Sequence, residues 1–206
     1  MKTFTNSELK FGYRDSILKR TTVNGSPRYV VLTVEFQLPL GRMSAPIRYA
    51  ELARSLGVEQ GRRAYSNDVR REVLRLRGSK GMVWDANDRD TYSTGSFFTN
   101  PIVSEDVAAR LPQEAPRYPA GTDGLTKLSA AWLIDQAGFA KGFGLDPDSV
   151  SGGRASLSTK HTLAITNRGG ATTADMLAVA REVRAGVVKR FGIELHPEPL
   201  LIGVAL

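Results

Sequence analysis

Cysteine is absent from this sequence, and histidine occurs only twice, as His161 and His196. The absence of cysteine excludes disulfides, thiolate catalysis and cysteine metal sites. Two histidines without a neighbouring carboxylate cluster are too few for a convincing zinc site. The sequence therefore predicts that the protein binds no metal.

Long apolar segments are also missing. No stretch approaches the roughly 18–20 residues that are needed to cross a bilayer. The first residues, MKTFTNSELKF, lack the apolar core of a signal peptide. These absences predict a cytoplasmic protein with no membrane partner.

The two signs of charge are unequal, since 28 Lys and Arg residues against 21 Asp and Glu residues give a formal net charge of +7. Such a balance invites a nucleic-acid interpretation. However, the basic residues are dispersed and interleaved with Glu72 and Glu182, as is usual on solvated helix faces, and no basic stripe with interleaved aromatics is present. We therefore expect no nucleic-acid partner and favour a small anionic substrate.

The pattern of apolar residues predicts both strands and helices. Residues 29–38, YVVLTVEFQL, alternate in the manner of a strand, and Asn24-Gly25 before them suggests a hairpin connection. A second strand is predicted over residues 161–166. Helices are predicted over the ranges 45–56 (capped by Ser44), 66–77, 127–137 and 173–191, with a short one after Ser104.

The last of these helices has the clearest signals. Thr172 and Asp175 have the spacing of a capping box, and Met176, Ala180 and Val183 begin an apolar stripe at helical spacing. We interpret this stripe as core packing. With 206 residues and 41% hydrophobic content, the chain can bury one core, or one core with a small satellite.

The run GSFFTNP, residues 95–101, is the most informative motif. By itself it indicates a turn followed by two core phenylalanines. A serine placed between glycine and aromatics can also be held in a dry pocket, where its hydroxyl becomes a positioned proton donor. Ser96 and Asn100 are therefore candidate site residues, because the Asn100 amide adds two donors and one acceptor.

Four further segments accompany this run: FGYRDSILKR, KLSAAWLIDQAGF, STKHTLAITNRGGAT and PEPLLIG. In this order and spacing, they resemble the C-terminal half to two-thirds of the UDP-N-acetylenolpyruvoylglucosamine reductase family, and the resemblance covers nearly the whole chain. It implies an α+β fold in which the later part of a flavin-binding domain, residues 1–90, precedes a substrate-binding domain, residues 91–206, that ends in a C-terminal return segment.

The resemblance implies an oxidoreductase of peptidoglycan synthesis that uses NADPH and FAD to reduce an enolpyruvyl double bond. One carbon of that bond receives hydride and its neighbour a proton, so the site needs a proton donor and groups that stabilise developing negative charge. Ser96 matches the family's proton-donating serine, Glu198 its catalytic glutamate and Arg14 its active-site arginine. Without the resemblance, Glu198 and Arg14 would be interpreted as an exposed carboxylate and an exposed or salt-bridged arginine.

Three more residues match positions that hold the UDP-sugar substrate: Tyr13, Lys80 and Asn100. A lysine suits a diphosphate as a point charge, and an asparagine provides a fixed donor and acceptor. Without the resemblance, Tyr13 would be a core or edge aromatic and Lys80 an exposed lysine after a helix end. Lys160 and His161 are plausible neighbours of the site, and no role is assigned to them.

The family's glycine-rich flavin loop lies upstream of the matched region. The pairs Gly152-Gly153 and Gly169-Gly170 are more typical of turns than of phosphate cradles. We therefore expect this chain alone to be inactive and to need a missing flavin-binding half as its partner. Two alternatives stay open: a non-catalytic UDP-sugar-binding module, and a poorly folded fragment whose strand at residues 29–38 exposes an unpaired edge.

Overall fold

In the computed structural model, which describes residues 1–23 and 26–206, the chain divides into two compact units. The first comprises Met1–Leu40 with Leu200–Ala205, and the second comprises Gly41–Pro199 with Leu206. None of the helices formed by the described residues has the length and apolar character of a membrane-spanning helix. The predicted α+β class is confirmed, because helices and antiparallel sheets occur together.

The first unit contains short elements only. They are the helices α1 (Asn6–Leu9) and α2 (Ile17–Arg20) and the antiparallel strands β1 (Thr22–Val23) and β2 (Ser26–Pro27). Ser16 caps α2, because its hydroxyl accepts a hydrogen bond from the amide of Lys19. The hairpin predicted at Asn24-Gly25 lies outside the described residues.

The strand predicted over residues 29–38 is wrong. These residues form no regular element, and both faces of the segment are exposed: Val30, Leu32, Val34 and Phe36 on one face are 64–82% exposed, and Val31 on the other is 57% exposed. The physical reason is that a strand needs a neighbouring strand for its backbone hydrogen bonds. The alternation of apolar residues suits a strand, but no strand among the described residues pairs with this segment.

The second unit carries two three-stranded antiparallel sheets and the longer helices. One sheet has the order β3-β8-β7 and the other the order β4-β6-β5. The strands are β3 (Ser93–Ser96), β4 (Ile102–Ser104), β5 (Arg117–Pro119), β6 (Leu125–Leu128), β7 (Ala155–Leu157) and β8 (Ala164–Asn167). The helices are α3 (Ala50–Ser55), α4 (Ser66–Ser79), α5 (Glu105–Ala109), α6 (Ala130–Gln136) and α7 (Thr173–Phe191).

The core of this unit lies where α7 packs against the β3-β8-β7 sheet and α6. Ala180, Val183 and Val187 on α7 are fully buried, as is Leu157 on β7. The predicted core stripe of α7 is therefore confirmed at its central positions. Phe97 and Phe98 are also buried, so the two phenylalanines of the GSFFTNP run do serve the core.

Two helix predictions began too early. The helix expected from residue 45 begins at Ala50, because residues 44–47 pair with another part of the backbone instead: the Ser44 amide donates to the Ala64 carbonyl at 2.8 Å, and the Ile47 amide donates to the Arg62 carbonyl at 2.9 Å. The helix expected from residue 127 begins at Ala130, because β6 occupies the preceding residues.

Helix α7 begins with the capping box that its sequence predicts. The Thr172 hydroxyl accepts from the Asp175 amide at 3.2 Å, and the Asp175 carboxylate accepts from the Thr172 amide at 2.9 Å. Arg154 also donates to both Asp175 oxygens, at 3.2 and 2.6 Å. The Arg154 side chain, followed by the two Thr172 donors, holds the pKa of Asp175 well below its usual range.

We expect the Thr172→Ala substitution to lower the free energy of unfolding by about 1 kcal/mol, because an N-terminal amide of α7 loses its side-chain acceptor. Thr173→Ala is the matched control, since Thr173 is exposed and lies one residue further along. Urea unfolding followed by circular dichroism measures both variants. Equal losses in the two variants would contradict a specific capping role for Thr172.

Candidate active site around Ser96

Ser96 follows a β-bulge that changes the direction of β3. Ser93 pairs with Thr166 and Ser96 with Ala164, so three steps along β3 face only two steps along β8. The extra residue is accommodated by Gly95, whose φ of +83° lies in the region that glycine adopts without strain. Bulges re-aim the side chains that follow them. The half-buried Ser96 is therefore placed by backbone geometry at the end of the strand.

Glu198 is brought to the same strand end by a second backbone pairing. Phe98 and Pro197 form an antiparallel bridge, the Thr99 amide donates to the His196 carbonyl at 3.0 Å, and the Glu198 amide donates to the Phe97 carbonyl at 2.8 Å. The backbones of residues 97–99 and 196–198 thus run side by side. Of the predicted catalytic residues, Glu198 belongs to this pairing and Ser96 directly precedes it.

Asn100 lies four residues after Ser96, and its side chain makes a hydrogen bond to the start of α6. Its Oδ1 accepts from the amide of Ala130, the first residue of α6, at 2.9 Å. This hydrogen bond uses the acceptor of the side-chain amide and fixes its plane. Its Nδ2 group makes no hydrogen bond among the residues that the structure describes, which suits a residue that donates to the oxygens of a ligand.

Lys80 follows the end of α4, and its ammonium pairs with Glu51 on α3 at 2.6 Å. The side chains of Lys80 and Glu51 are 42% and 58% exposed, respectively. Ion pairs of this kind contribute at most about 1 kcal/mol. The pairing with Glu51 therefore leaves Lys80 able to exchange its partner for a more highly charged anion.

Tyr13 and Arg14 belong to the first unit, whereas the other four predicted site residues belong to the second. They lie in a tight turn closed by a bridge between Gly12 and Asp15. Arg14 has a φ of +54°, which is uncommon for a residue with a side chain and costs on the order of 1 kcal/mol or more. Lys10, at the end of α1, has a similar φ of +46°, so the backbone conformation alone does not distinguish Arg14.

A buried ion pair lies beside the strand that carries Ser96. Asp90 is 5% exposed at its side chain and accepts from Arg168, which is 14% exposed, at 2.7 Å. Asp90 also accepts from the amide of Thr159 at 2.9 Å and from the Thr159 hydroxyl. Burial acts to raise the pKa of the Asp90 carboxyl, but the Thr159 hydrogen bonds and the Arg168 charge outweigh it and hold that pKa below its usual value.

Sequence reasoning missed Asp90, Thr159 and Arg168. Their positions differ by 69 and 78 residues along the chain, so no local spacing connects them. The β3–β8 pairing brings them together, because Ser93 and Thr166 are register partners and Arg168 follows shortly after. No local sequence signal identifies this cluster.

Comparisons with known proteins identify the family of the chain. The model of the family described as UDP-N-acetylenolpyruvoylglucosamine reductase, C-terminal domain, matches residues 87–202, more than half of the chain. The match includes Ser96, Asn100 and Glu198.

The chain belongs to the UDP-N-acetylenolpyruvoylglucosamine reductase family.

Curated relatives with that name are similar over nearly all of this chain. The relative from Thermobifida fusca is 55% identical over 215 residues, covering 100% of this chain and 57% of its own length. The relative from Mycolicibacterium gilvum is 56% identical over 203 residues, covering 96% and 54% respectively. The chain thus spans about half the length of the curated reductases that it matches.

Neither glycine pair of the sequence forms a cradle for a diphosphate. A Cβ on Gly152 would approach the Arg154 guanidinium to 2.9 Å, and one on Gly153 would approach the Leu145 carbonyl oxygen to 3.0 Å, so contacts within the chain account for this pair. At the other pair, the Gly169 amide donates to Asn167 Oδ1 at 2.9 Å in a local turn. Both pairs therefore serve turns of the chain.

Proposed function

We propose that this chain forms the substrate-binding and proton-donating part of a reductase that converts UDP-N-acetylenolpyruvoylglucosamine to UDP-N-acetylmuramate in peptidoglycan synthesis. The observation that carries the proposal is the side-by-side pairing of residues 97–99 with 196–198, which brings the backbones next to Ser96 and Glu198 together. The match of the reductase family model to both segments supports it.

The proposed reaction assigns separate tasks to the residues of the chain. One carbon of the enolpyruvyl double bond gains a hydride and its neighbour gains a proton, while NADPH is oxidised to NADP⁺. In the complete enzyme, FAD would take a hydride from NADPH and, once reduced, would supply it to the substrate. Ser96 donates the proton from its hydroxyl, Glu198 acts beside it, and Arg14 stabilises the negative charge that develops toward the substrate carboxylate.

The UDP-sugar is assigned to Tyr13, Lys80 and Asn100. The Lys80 ammonium exchanges its surface pairing with Glu51 for the more highly charged diphosphate. Asn100, held in place by its hydrogen bond to Ala130, directs its two remaining donors at ligand oxygens. We also propose that residues 91–206 form the substrate domain and residues 1–90 the later part of the flavin domain, so that Tyr13 and Lys80 reach the substrate from the latter.

A flavin-binding half outside this sequence is the proposed partner. The exposed segment over residues 29–38 has the alternation of a strand and no partner strand among the described residues. A strand from that half would satisfy its backbone and cover its apolar side chains. We therefore propose that the chain alone is inactive, and that the cofactors FAD and NADPH act only in the complete enzyme.

Calorimetry with the UDP-linked enolpyruvyl sugar tests the binding part of the proposal. We expect the purified chain to bind it, Lys80→Ala to weaken binding about tenfold because a cation next to the diphosphate is lost, and Ser96→Ala to change binding by less than about threefold. No binding by a chain shown to be folded would overturn the assignment of the UDP-sugar to these residues. Substrate-dependent NADPH oxidation by the chain with added FAD would overturn its proposed inactivity.

A fusion of the N-terminal part of the Thermobifida fusca reductase to this chain separates a reductase from a binding module. We expect the fusion to retain FAD and oxidise NADPH in the presence of substrate, and Ser96→Ala to reduce kcat by about 10² to 10⁴. Thr94→Ala, at an exposed position on the same strand, is the control and is expected to keep kcat within about threefold. A fusion that retains FAD and binds substrate but oxidises no NADPH would favour the non-catalytic binding module.

A further inference from the structure

Most of the positive charge of the chain is concentrated in one segment of the second unit. Residues 41–80 contain ten Arg and Lys residues against four Asp and Glu residues, so they carry an excess of six out of the formal net charge of +7. Three of the four carboxylates are already in ion pairs: Glu51 with Lys80, Asp68 with Arg71 and Glu72 with Arg75. The excess therefore lies on the other arginines of the segment.

Four of these arginines belong to two stretches of chain that run side by side, residues 42–48 and 60–66. The Ile47 amide donates to the Arg62 carbonyl at 2.9 Å, and the two stretches also share an antiparallel bridge. Paired backbones lie about 5 Å apart, and a stretch of this length extends over no more than about 20 Å. We call the two stretches the arginine ribbon, and its arginines are Arg42, Arg48, Arg62 and Arg63.

All four arginines of the ribbon are exposed, and none of them forms an ion pair or a side-chain hydrogen bond with any residue that the structure describes. The ribbon contains no aspartate, glutamate or lysine, and the neighbouring Glu59 makes no ion pair with it in the described part of the chain. Like charges this close repel one another, so a bound partner of negative charge would relieve the repulsion. Because α3 separates the two stretches in sequence, this clustering is visible only in the fold.

Exposed aromatic and sulfur-containing side chains lie among the arginines. Tyr65 is 61% and Met43 47% exposed, and Tyr49, directly after the first stretch, is 78% exposed. Arginine, tyrosine and methionine are enriched in protein–protein interfaces, whereas lysine, aspartate and glutamate are depleted there. Arginine and tyrosine are also among the side chains that contribute most to binding energy. The composition of the ribbon is therefore that of a protein interface rather than that of an ordinary solvated surface.

We propose that the arginine ribbon is a docking surface for an acidic segment of another protein. A planar guanidinium matches the two oxygens of a carboxylate and binds them with two parallel hydrogen bonds. A second copy of this chain does not fit as a two-fold partner, because the contact would bring the same positive ribbon against itself. None of the six predicted site residues belongs to the ribbon, so this inference goes beyond the proposed function.

Fluorescence anisotropy with a labelled peptide of repeated Glu-Glu-Tyr-Gly units tests the inference. At about 0.1 M salt, where charges about 10 Å apart still interact, we expect the chain to bind this peptide at least about tenfold more tightly than a matched peptide of Gln-Gln-Tyr-Gly units. The double variant Arg62→Glu with Arg63→Glu should lose at least about tenfold in affinity for the acidic peptide. Failure of the acidic peptide to bind, or binding that this double variant leaves unchanged, would overturn the inference.

The double variant Arg110→Glu with Lys189→Glu is the matched control. It changes the net charge by the same amount at two exposed positions outside the ribbon, and its affinity should stay within about threefold of that of the unsubstituted chain. An equal loss in the control would show that net charge alone attracts the peptide, which would overturn a role for the ribbon. Unfolding followed by tryptophan fluorescence verifies that each variant is folded.

Tyr65→Ala separates a protein interface from simple charge attraction. We expect it to weaken binding of the acidic peptide about three- to tenfold without changing the dependence of the affinity on salt, because the tyrosine contributes apolar contact. The double variant at Arg62 and Arg63 should instead reduce that dependence. Tighter binding of phosphatidylglycerol vesicles or of a single-stranded oligonucleotide than of the peptide would overturn the inference, since the partner would then belong to another class.

The fusion with the N-terminal part of the Thermobifida fusca reductase separates this inference from the proposed function. We expect the fusion to bind the acidic peptide as the chain does, and a loss of binding would overturn the inference, because the ribbon would then be covered within the enzyme itself. The Arg62→Glu and Arg63→Glu double variant of the fusion should oxidise NADPH within about threefold of the unsubstituted fusion. A fusion that binds the peptide but oxidises no NADPH would support the inference and count against the proposed reductase.

Discussion

Replacing Asp90 by alanine is expected to lower the free energy of unfolding of the second unit by about 3–5 kcal/mol, because it leaves the buried guanidinium of Arg168 without its counter-charge. The Thr159 amide and hydroxyl lose their acceptor at the same time. Both tryptophans of the sequence, Trp84 and Trp132, belong to the second unit, so urea unfolding followed by their fluorescence reports on it.

Asp88→Ala is the matched control for Asp90→Ala. Asp88 pairs with Lys160, the two side chains being 25% and 39% exposed, and it accepts from the Asp90 amide at 3.0 Å. An exposed pair and a cap together contribute about 1–2 kcal/mol, so we expect Asp88→Ala to cost clearly less than Asp90→Ala. The double variant Asp90→Ala with Arg168→Leu should recover part of the loss, since no uncompensated charge stays buried. Equal effects of the two single substitutions would show that Asp90 is not the buried centre described above.

The pH dependence of stability follows from the lowered pKa of Asp90. A carboxyl whose pKa is lower in the folded state stabilises the fold above the pKa of the unfolded chain, near 3.8. This contribution is lost as the pH falls below that value toward the folded-state pKa. We expect the Asp90→Asn variant to lose less stability over this acidic range than the unsubstituted chain.

Gly186→Ala is expected to destabilise the protein by about 1–3 kcal/mol, although alanine is the better helix former. A Cβ at position 186 of α7 would overlap the ring of Phe139. That ring is itself held by an edge-to-face contact with Phe143, at a centroid distance of 4.8 Å, and cannot move away freely. The overlap therefore outweighs the gain in helix propensity.

Gly78→Ala provides the control with the opposite sign. Gly78 lies in α4, and no atom outside its neighbours would lie within 4 Å of an added Cβ. Alanine there should stabilise the helix by about 0.5–1 kcal/mol. Thermal unfolding measures the melting temperature of both variants. A higher melting temperature for Gly186→Ala than for the unsubstituted chain would contradict the close packing of Phe139 on α7.

The parts of the fold that were predictable carry their own local signals. Helix α7 has a capping box at Thr172 and ends at Gly192, whose φ of +67° suits glycine, and these signals lie within or next to the helix itself. The start of α6 was less predictable, because β6 is defined by its pairing with β4 and β5 rather than by its own residues.

The segment over residues 29–38 shows that a strand-like sequence pattern does not ensure that a strand forms. Its apolar residues alternate as clearly as those of any strand in the sequence, yet none of the sheets formed by the described residues includes this segment. Asp90 illustrates the limit for the site, because it is one of three aspartates in the run WDANDRD and no local feature distinguishes the buried one from its solvated neighbours. Strand pairing and side-chain burial depend on residues that are distant in sequence, so a local sequence pattern does not predict them.

The pairing beside Ser96 also has a consequence for the order of folding. Thr99 and His196, whose hydrogen bond is part of it, are 97 residues apart in sequence. Closing so long a loop costs chain entropy before any contact compensates for it, so pairings of this kind form late compared with helices such as α7. The Ser96 and Glu198 pair is therefore absent from any intermediate in which only the local elements have formed, and its assembly marks the completion of the second unit.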